Sequence, residues 1–147
     1  MTINNAIDSG GIGVYLPSNI GQTLLNYYEE FSSTGNTWTG PFAVPQAGEY
    51  KIIKIGKIVI LKLPTISSAS NNANHIVNSV NIPARFLLST TISYPFIVQS
   101  TAATFINASI QVNNAGVISI WHSITTGNFA AVGTVGFLQS TISWNLN

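Results

Sequence analysis

Tyr50-Lys51-Ile52-Ile53-Lys54-Ile55-Gly56-Lys57-Ile58-Val59-Ile60-Leu61-Lys62-Leu63 is the stretch that decides the fold. Two runs of β-branched and aliphatic residues flank a Gly-Lys pair, and glycine tolerates the positive φ that a two-residue hairpin turn demands. These are two antiparallel strands. The apolar segment Ile58-Val59-Ile60-Leu61 is far shorter than the roughly 20 residues that cross a bilayer, so it reads as a buried strand and not as an anchor.

Period-two alternation continues on both sides of this hairpin, and long helical spacing is missing. Upstream, Leu25, Tyr27 and Phe31 share one parity, so residues 23–31 read as a strand although Glu29 and Glu30 are good helix formers. Thr37-Trp38-Thr39 is a further strand, ended by Gly40-Pro41. Downstream, residues 67–78 are too polar for a core and read as the longest surface loop. Strand-like runs follow at 86–90, 94–99, 105–112 and 117–124, the last two joined by the turn Asn113-Asn114-Ala115-Gly116, and a final strand covers 132–146. A strand ending this close to Asn147 leads us to expect nothing beyond it. The fold class is therefore all-β, a two-sheet antiparallel sandwich of jelly-roll type, with Ile53, Ile55, Val59, Leu61, Ile106, Ile110, Ile118 and Ile120 expected to be buried.

Residues 1–22, with Ser9-Gly10-Gly11-Ile12-Gly13, form a neck or leader segment, and 23–147 form a single head domain long enough to bury a core. The start of the chain shows neither a basic n-region nor a continuous hydrophobic core, so no secretory signal is visible.

Only 6% of the 147 residues are charged while 46% are hydrophobic, so the surface is coated with hydroxyls and amides or partly buried against other copies. This excess of apolar and aromatic surface predicts self-association through an obligate interface. A net charge of +1 gives no field for nucleic acid, and nothing points to membrane insertion. The chain has no cysteine, so disulfides and thiolate metal sites are excluded.

The titratable inventory argues against an enzyme. Glu29 and Glu30 are adjacent and point to opposite faces of a strand, so they do not form a catalytic carboxylate pair. His75 and His122 lack the short spacings of a metal site, no Gly-x-Ser-x-Gly elbow is present, and Gly10-Gly11-Ile12-Gly13 lacks the lysine of a phosphate loop. No cofactor, metal or catalytic residue is expected. Asn107-Ala108-Ser109 matches a glycosylation sequon.

Tyr27-Tyr28-Glu29-Glu30-Phe31 leading to Thr37-Trp38-Thr39-Gly40-Pro41, the Gly56-Lys57 hairpin, Ile82-Pro83-Ala84-Arg85-Phe86, and residues 110–120 with their Asn-Ala-Gly turn occur in an order that resembles the C-terminal head modules of phage tail fibres and of fibre or collagen-like proteins of large viruses. Where such heads often carry an Arg-Pro pair, Arg85 is followed here by Phe86-Leu87-Leu88. The resemblance implies a homotrimeric head on an upstream shaft, exposed on the virion surface or otherwise extracellular, that contacts a host-surface receptor, frequently a glycan. The alternatives are a structural trimerisation cap and a bacterial collagen-like surface adhesin.

The ligand is expected to be neutral, because so few Lys and Arg cannot build a basic patch. Asn71, Asn72, Asn74 and His75 are the candidates for hydrogen bonds to a sugar, and Trp121 or Trp38 for a stacking face.

Overall fold

The computed structural model describes residues 7–8, 11–18, 21–101, 104–123 and 127–146, with the side chains of 28–100, 104–123 and 127–146. The parts of the neck segment at 1–6, 9–10 and 19–20 lie outside the described residues.

Two antiparallel sheets face each other across the core. One contains, in spatial order, β1 (Ile7–Asp8), β2 (Gly11–Ser18), β3 (Gly21–Ser32), β6 (Lys51–Ile55), β7 (Ile58–Leu63) and β14 (Ser140–Asn145). The other contains β5 (Gln46–Ala47), β4 (Thr37–Thr39), β9 (Ile76–Asn78), β12 (Ile118–Trp121), β11 (Thr104–Val112), β10 (Ile92–Thr101), β13 (Thr134–Phe137) and β8 (Ile66–Ala69). The eight-stranded sheet curls until its ends meet: Phe42 bridges Ser70, and Ala43 N donates to Ala69 O at 3.1 Å.

The expected hairpin is present, with Gly56 at φ +59° and Ile55 opposite Ile58. That pairing corrects half of the expected core in this region. Ile52 faces Leu61 and Lys54 faces Val59, so Ile52, Val59 and Leu61 are buried while Ile53 and Ile55 turn outward, Ile55 being 42% exposed. With a side-chain period of two, choosing the wrong parity exchanges the faces. Ile110, Ile118 and Ile120 are fully buried, and Ile106 packs against the core from a half-buried position.

Three of the expected segments differ from the structure. Residues 67–78 are not one loop, because β8 pairs with β13 and β9 with β12, which leaves only 71–75 as a connection. Ladder hydrogen bonds accept serine and alanine as readily as valine, so polarity alone misplaced these strands. Residues 86–90 form no strand. Pro83, at φ −58°, leads into a 3₁₀ turn over Ala84–Phe86 that drops the Phe86 ring into the core.

The third is the run 132–146, which is two strands in different sheets. β14 pairs with β7 from Ser140↔Leu63, and β13 pairs with β8 from Phe137↔Ile66, so one register continues through a bend at 64–65 and 138–139. Gln139 N donates to Thr65 Oγ1 at 2.9 Å across that corner. The corner ties the two sheets covalently at two places.

The buried asparagines of the core are satisfied by backbone. Asn36 Nδ2 donates to Gly48 O at 2.8 Å and its Oδ1 accepts from Val80 N at 3.0 Å. Asn78 Oδ1 accepts from Ile118 N at 2.6 Å. Glu29 and Glu30 diverge as expected: Arg85 donates to Glu29 while lying 4.6 Å over the Phe86 ring, and Glu30 is exposed and accepts from the Tyr28 hydroxyl.

Candidate functional site

Charge separates cleanly between the sheets. Asp8, Glu29, Glu30, Lys51, Lys54 and Lys62 lie on the six-stranded sheet, Lys57 in its hairpin turn, and Glu49 and Arg85 beside it. No strand of the eight-stranded sheet contains an Asp, Glu, Lys or Arg. Its outer face therefore presents hydroxyls, amides, rings and aliphatic groups.

One end of that face, where β9 begins and β12 ends, is built by register. Ile76 and Ile120 point inward and pair, as do Ser119 and Val77 on the outside, and the next step of the same register sets His75 opposite Trp121. The rings stack, with centroids 3.8 Å apart and planes inclined by 14°. Ser109, opposite Trp121 on β11, is buried, and its Oγ donates to Ser123 O at 3.1 Å. Trp121 Nε1 is buried with no acceptor among the described residues. Burial holds the His75 imidazole below its ordinary pKa, so the ring is neutral at pH 7.

The 71–75 connection is anchored to the body of the domain. Asn71 N and Asn72 N both donate to Pro41 O, at 2.9 and 3.3 Å. Asn74 Oδ1 accepts from His75 N at 2.8 Å, and Asn74 O accepts from Phe129 N at 3.0 Å. Gly40 runs against the His75 carbonyl so closely that a Cβ at Gly40 would sit 1.9 Å from His75 O. The side chains of Asn71, Asn72 and Asn74 are exposed, with Asn72 Nδ2 donating to Asn71 Oδ1 at 2.8 Å.

Of the candidate residues, the structure thus joins His75 directly to Trp121, keeps Asn74 beside His75, and places Asn71 and Asn72 at the start of the same connection. Trp38 does not belong with them. It is 0% exposed, its Nε1 donates to Gly48 O at 2.8 Å, and it meets Phe137 edge-on at 5.1 Å, so it is a core residue with no face to offer a ligand.

Sequence reasoning missed the neighbouring cleft of about 420 Å³ lined by Pro95, Ile97, Asn107, Thr141 and Ile142, where the seam between the sheets opens. Ile97 is exposed in this cleft opposite Asn107, and Phe105 is exposed on the same sheet face opposite Gln99. The signal that pointed to a neutral face was present in the sequence, since residues 86–147 hold no Asp, Glu, Lys or Arg.

Among solved structures, the chain is similar over nearly its whole length to the reovirus attachment protein sigma1, whose crystal structure was determined in complex with alpha-2,3-sialyllactose. The match covers 99% of this chain and 95% of that chain, at a TM-score of 0.51 and 14% sequence identity. The chain has the fold of a viral attachment protein. This likeness does not single out the phage or collagen-like group. No family model and no curated protein matches the sequence.

Proposed function

We propose that this chain is the receptor-binding head of a trimeric viral fibre, displayed on the virion surface at the end of a shaft, and that it attaches to a glycan of the host surface. The observation that carries the reading is the His75–Trp121 stack, at the end of β9 and β12 on a sheet face without formal charge, on a fold shared with an attachment protein. A planar ring suits the C–H face of a pyranose, and the surrounding amides and hydroxyls supply donors and acceptors for its hydroxyls. With no cation on this sheet, a neutral sugar is the ligand class, in contrast to the acidic sialyllactose bound by sigma1. The function is binding and not catalysis.

The test is a glycan array and a host-cell attachment assay on the wild-type domain, Trp121→Ala and a triple Asn71, Asn72, Asn74→Ala variant. Binding to neutral glycans that Trp121→Ala loses supports the proposal. Binding to sialylated glycans alone would move the site to the lysine-bearing sheet, and a wild-type domain that bound no host surface would leave a structural cap.

A further inference from the structure

We infer that copies of this chain meet through the outer face of the six-stranded sheet, over the strands β3, β6, β7 and β14. The pairings lay this face out as a grid. Tyr28, Ile55, Ile58 and Asn145 form one row across the strands, Glu30, Ile53, Ile60 and Ser143 the next, and Ser32, Lys51, Lys62 and Thr141 the third. Tyr28, Ile55 and Ile58 are 48%, 42% and 47% exposed, and Ile53 and Ile60 are half-buried behind them. Five large apolar side chains thus form one continuous block on a solvent-facing sheet. A contiguous apolar patch with a polar rim marks a contact surface, whereas scattered exposed residues do not.

The rim says what covers it. Lys51 and Lys62 stand directly opposite each other, a repulsive cross-strand pair, and neither has an ion-pair partner among the described residues. Glu30 shares the face, and Glu49 lies with both lysines around a shallow cleft of about 300 Å³. The occupant must therefore offer an apolar block together with charges of both signs. A neutral glycan has no use for the isoleucines, and an anionic membrane or polyanion is opposed by Glu30 and Glu49. A second copy of this chain meets each requirement, since its own acids can reach Lys51 and Lys62. The other sheet offers a smaller exposed pair, Ile97 and Phe105, rimmed by amides without charge. The two sheets are thus divided between self-association and ligand. This inference rests on the trimeric reading only for the number of copies.

The chain lacks cysteine, so a single introduced thiol reports one position. Ile58→Cys and Ile97→Cys, made separately in the full chain, place it on the two outer faces. The expected result is an oligomer by sedimentation in which Ile58→Cys resists maleimide and is captured by a short bifunctional cross-linker, while Ile97→Cys labels freely. Glu30→Lys should weaken the assembly, and Glu30→Lys combined with Lys51→Glu and Lys62→Glu should restore it, which a mere folding defect would not do. An oligomer that protects Ile97→Cys and labels Ile58→Cys would overturn this face while leaving the trimeric head intact. A monomer at micromolar concentration that labels at both positions would overturn both.

Discussion

His75 lies flat on Trp121, 3.8 Å between ring centroids, because β9 and β12 hold one register from the buried Ile76–Ile120 pair out to the sheet end. The core therefore positions the stack. A pair so fixed offers a ligand a surface that needs no ordering on binding, which is where rigid aromatic anchors gain affinity over flexible side chains.

Removing the ring should weaken attachment without unfolding the domain. Trp121→Ala is expected to lower affinity for host cells or a bound glycan by at least about tenfold, the scale of a central aromatic anchor. Trp121→Phe keeps a stacking face and removes a buried Nε1–H that has no acceptor among the described residues, whose desolvation costs about 1–3 kcal/mol, so it should retain most of the wild-type stability despite its smaller ring. Chemical denaturation alongside a binding titration separates the two effects.

The fold class was legible because alternation and turn residues are local signals. The hairpin at Gly56 and the Asn113–Gly116 turn needed no distant partner to be read. What was not legible depended on pairing. Ile53 and Ile52 are indistinguishable by type, and only the Ile55↔Ile58 register decides which is inside. The sheet change between β13 and β14 is invisible in residues 132–146 because it is imposed by the accompanying bend of β7 into β8. The candidate site was half legible. His75 and Asn74 stood out as polar residues in a polar stretch, but the step that brings Trp121 onto His75 is a contact between residues far apart in sequence. Trp38 gave the same sequence signal as Trp121 and lies in the core.

Burial contrasts should follow the structure and not residue type. Ile110→Ala removes a fully buried side chain and is expected to cost about 2–5 kcal/mol through lost burial and a cavity. Ile97→Ala, at a 61% exposed position, should stay within about 0.5 kcal/mol of wild type. Urea midpoints at constant m-value would check both, and equal losses would contradict the assigned faces.

Two glycines with positive φ should respond differently. Gly56→Ala meets nothing within 4 Å and costs only the strain of φ +59°, about 1–2 kcal/mol. Gly40→Ala adds to its strain at φ +108° a Cβ driven against the His75 carbonyl, so it should destabilise more and also displace the stack. Loss of binding in Gly40→Ala but not in Gly56→Ala is the expected readout.

Acid should weaken the domain through His75. Its folded pKa is depressed by burial from the ordinary value of 6.5, so the unfolded chain takes up the proton first as pH falls. The contribution is present in full above about pH 6.5 and is lost as pH drops from there to the folded pKa. Melting temperatures measured between neutral and mildly acidic pH should fall more in the wild type than in His75→Asn. Parallel curves would show that this imidazole is not the group responsible.

Attachment should be nearly independent of salt. Exposed charges interact over a Debye length of about 10 Å at 0.1 M, so a ligand held by lysines would be released as ionic strength rises. The eight-stranded sheet has no Asp, Glu, Lys or Arg in any strand, so the proposed contact at the stack and its amide surroundings would rest on dispersion and neutral hydrogen bonds. Host-cell binding measured from low salt to several times physiological salt should therefore hold steady, while assembly through Glu30, Lys51 and Lys62 weakens over the same range. At a fixed oligomeric state, held by covalent cross-linking, a steep loss of attachment with salt would place the ligand on the charged sheet instead.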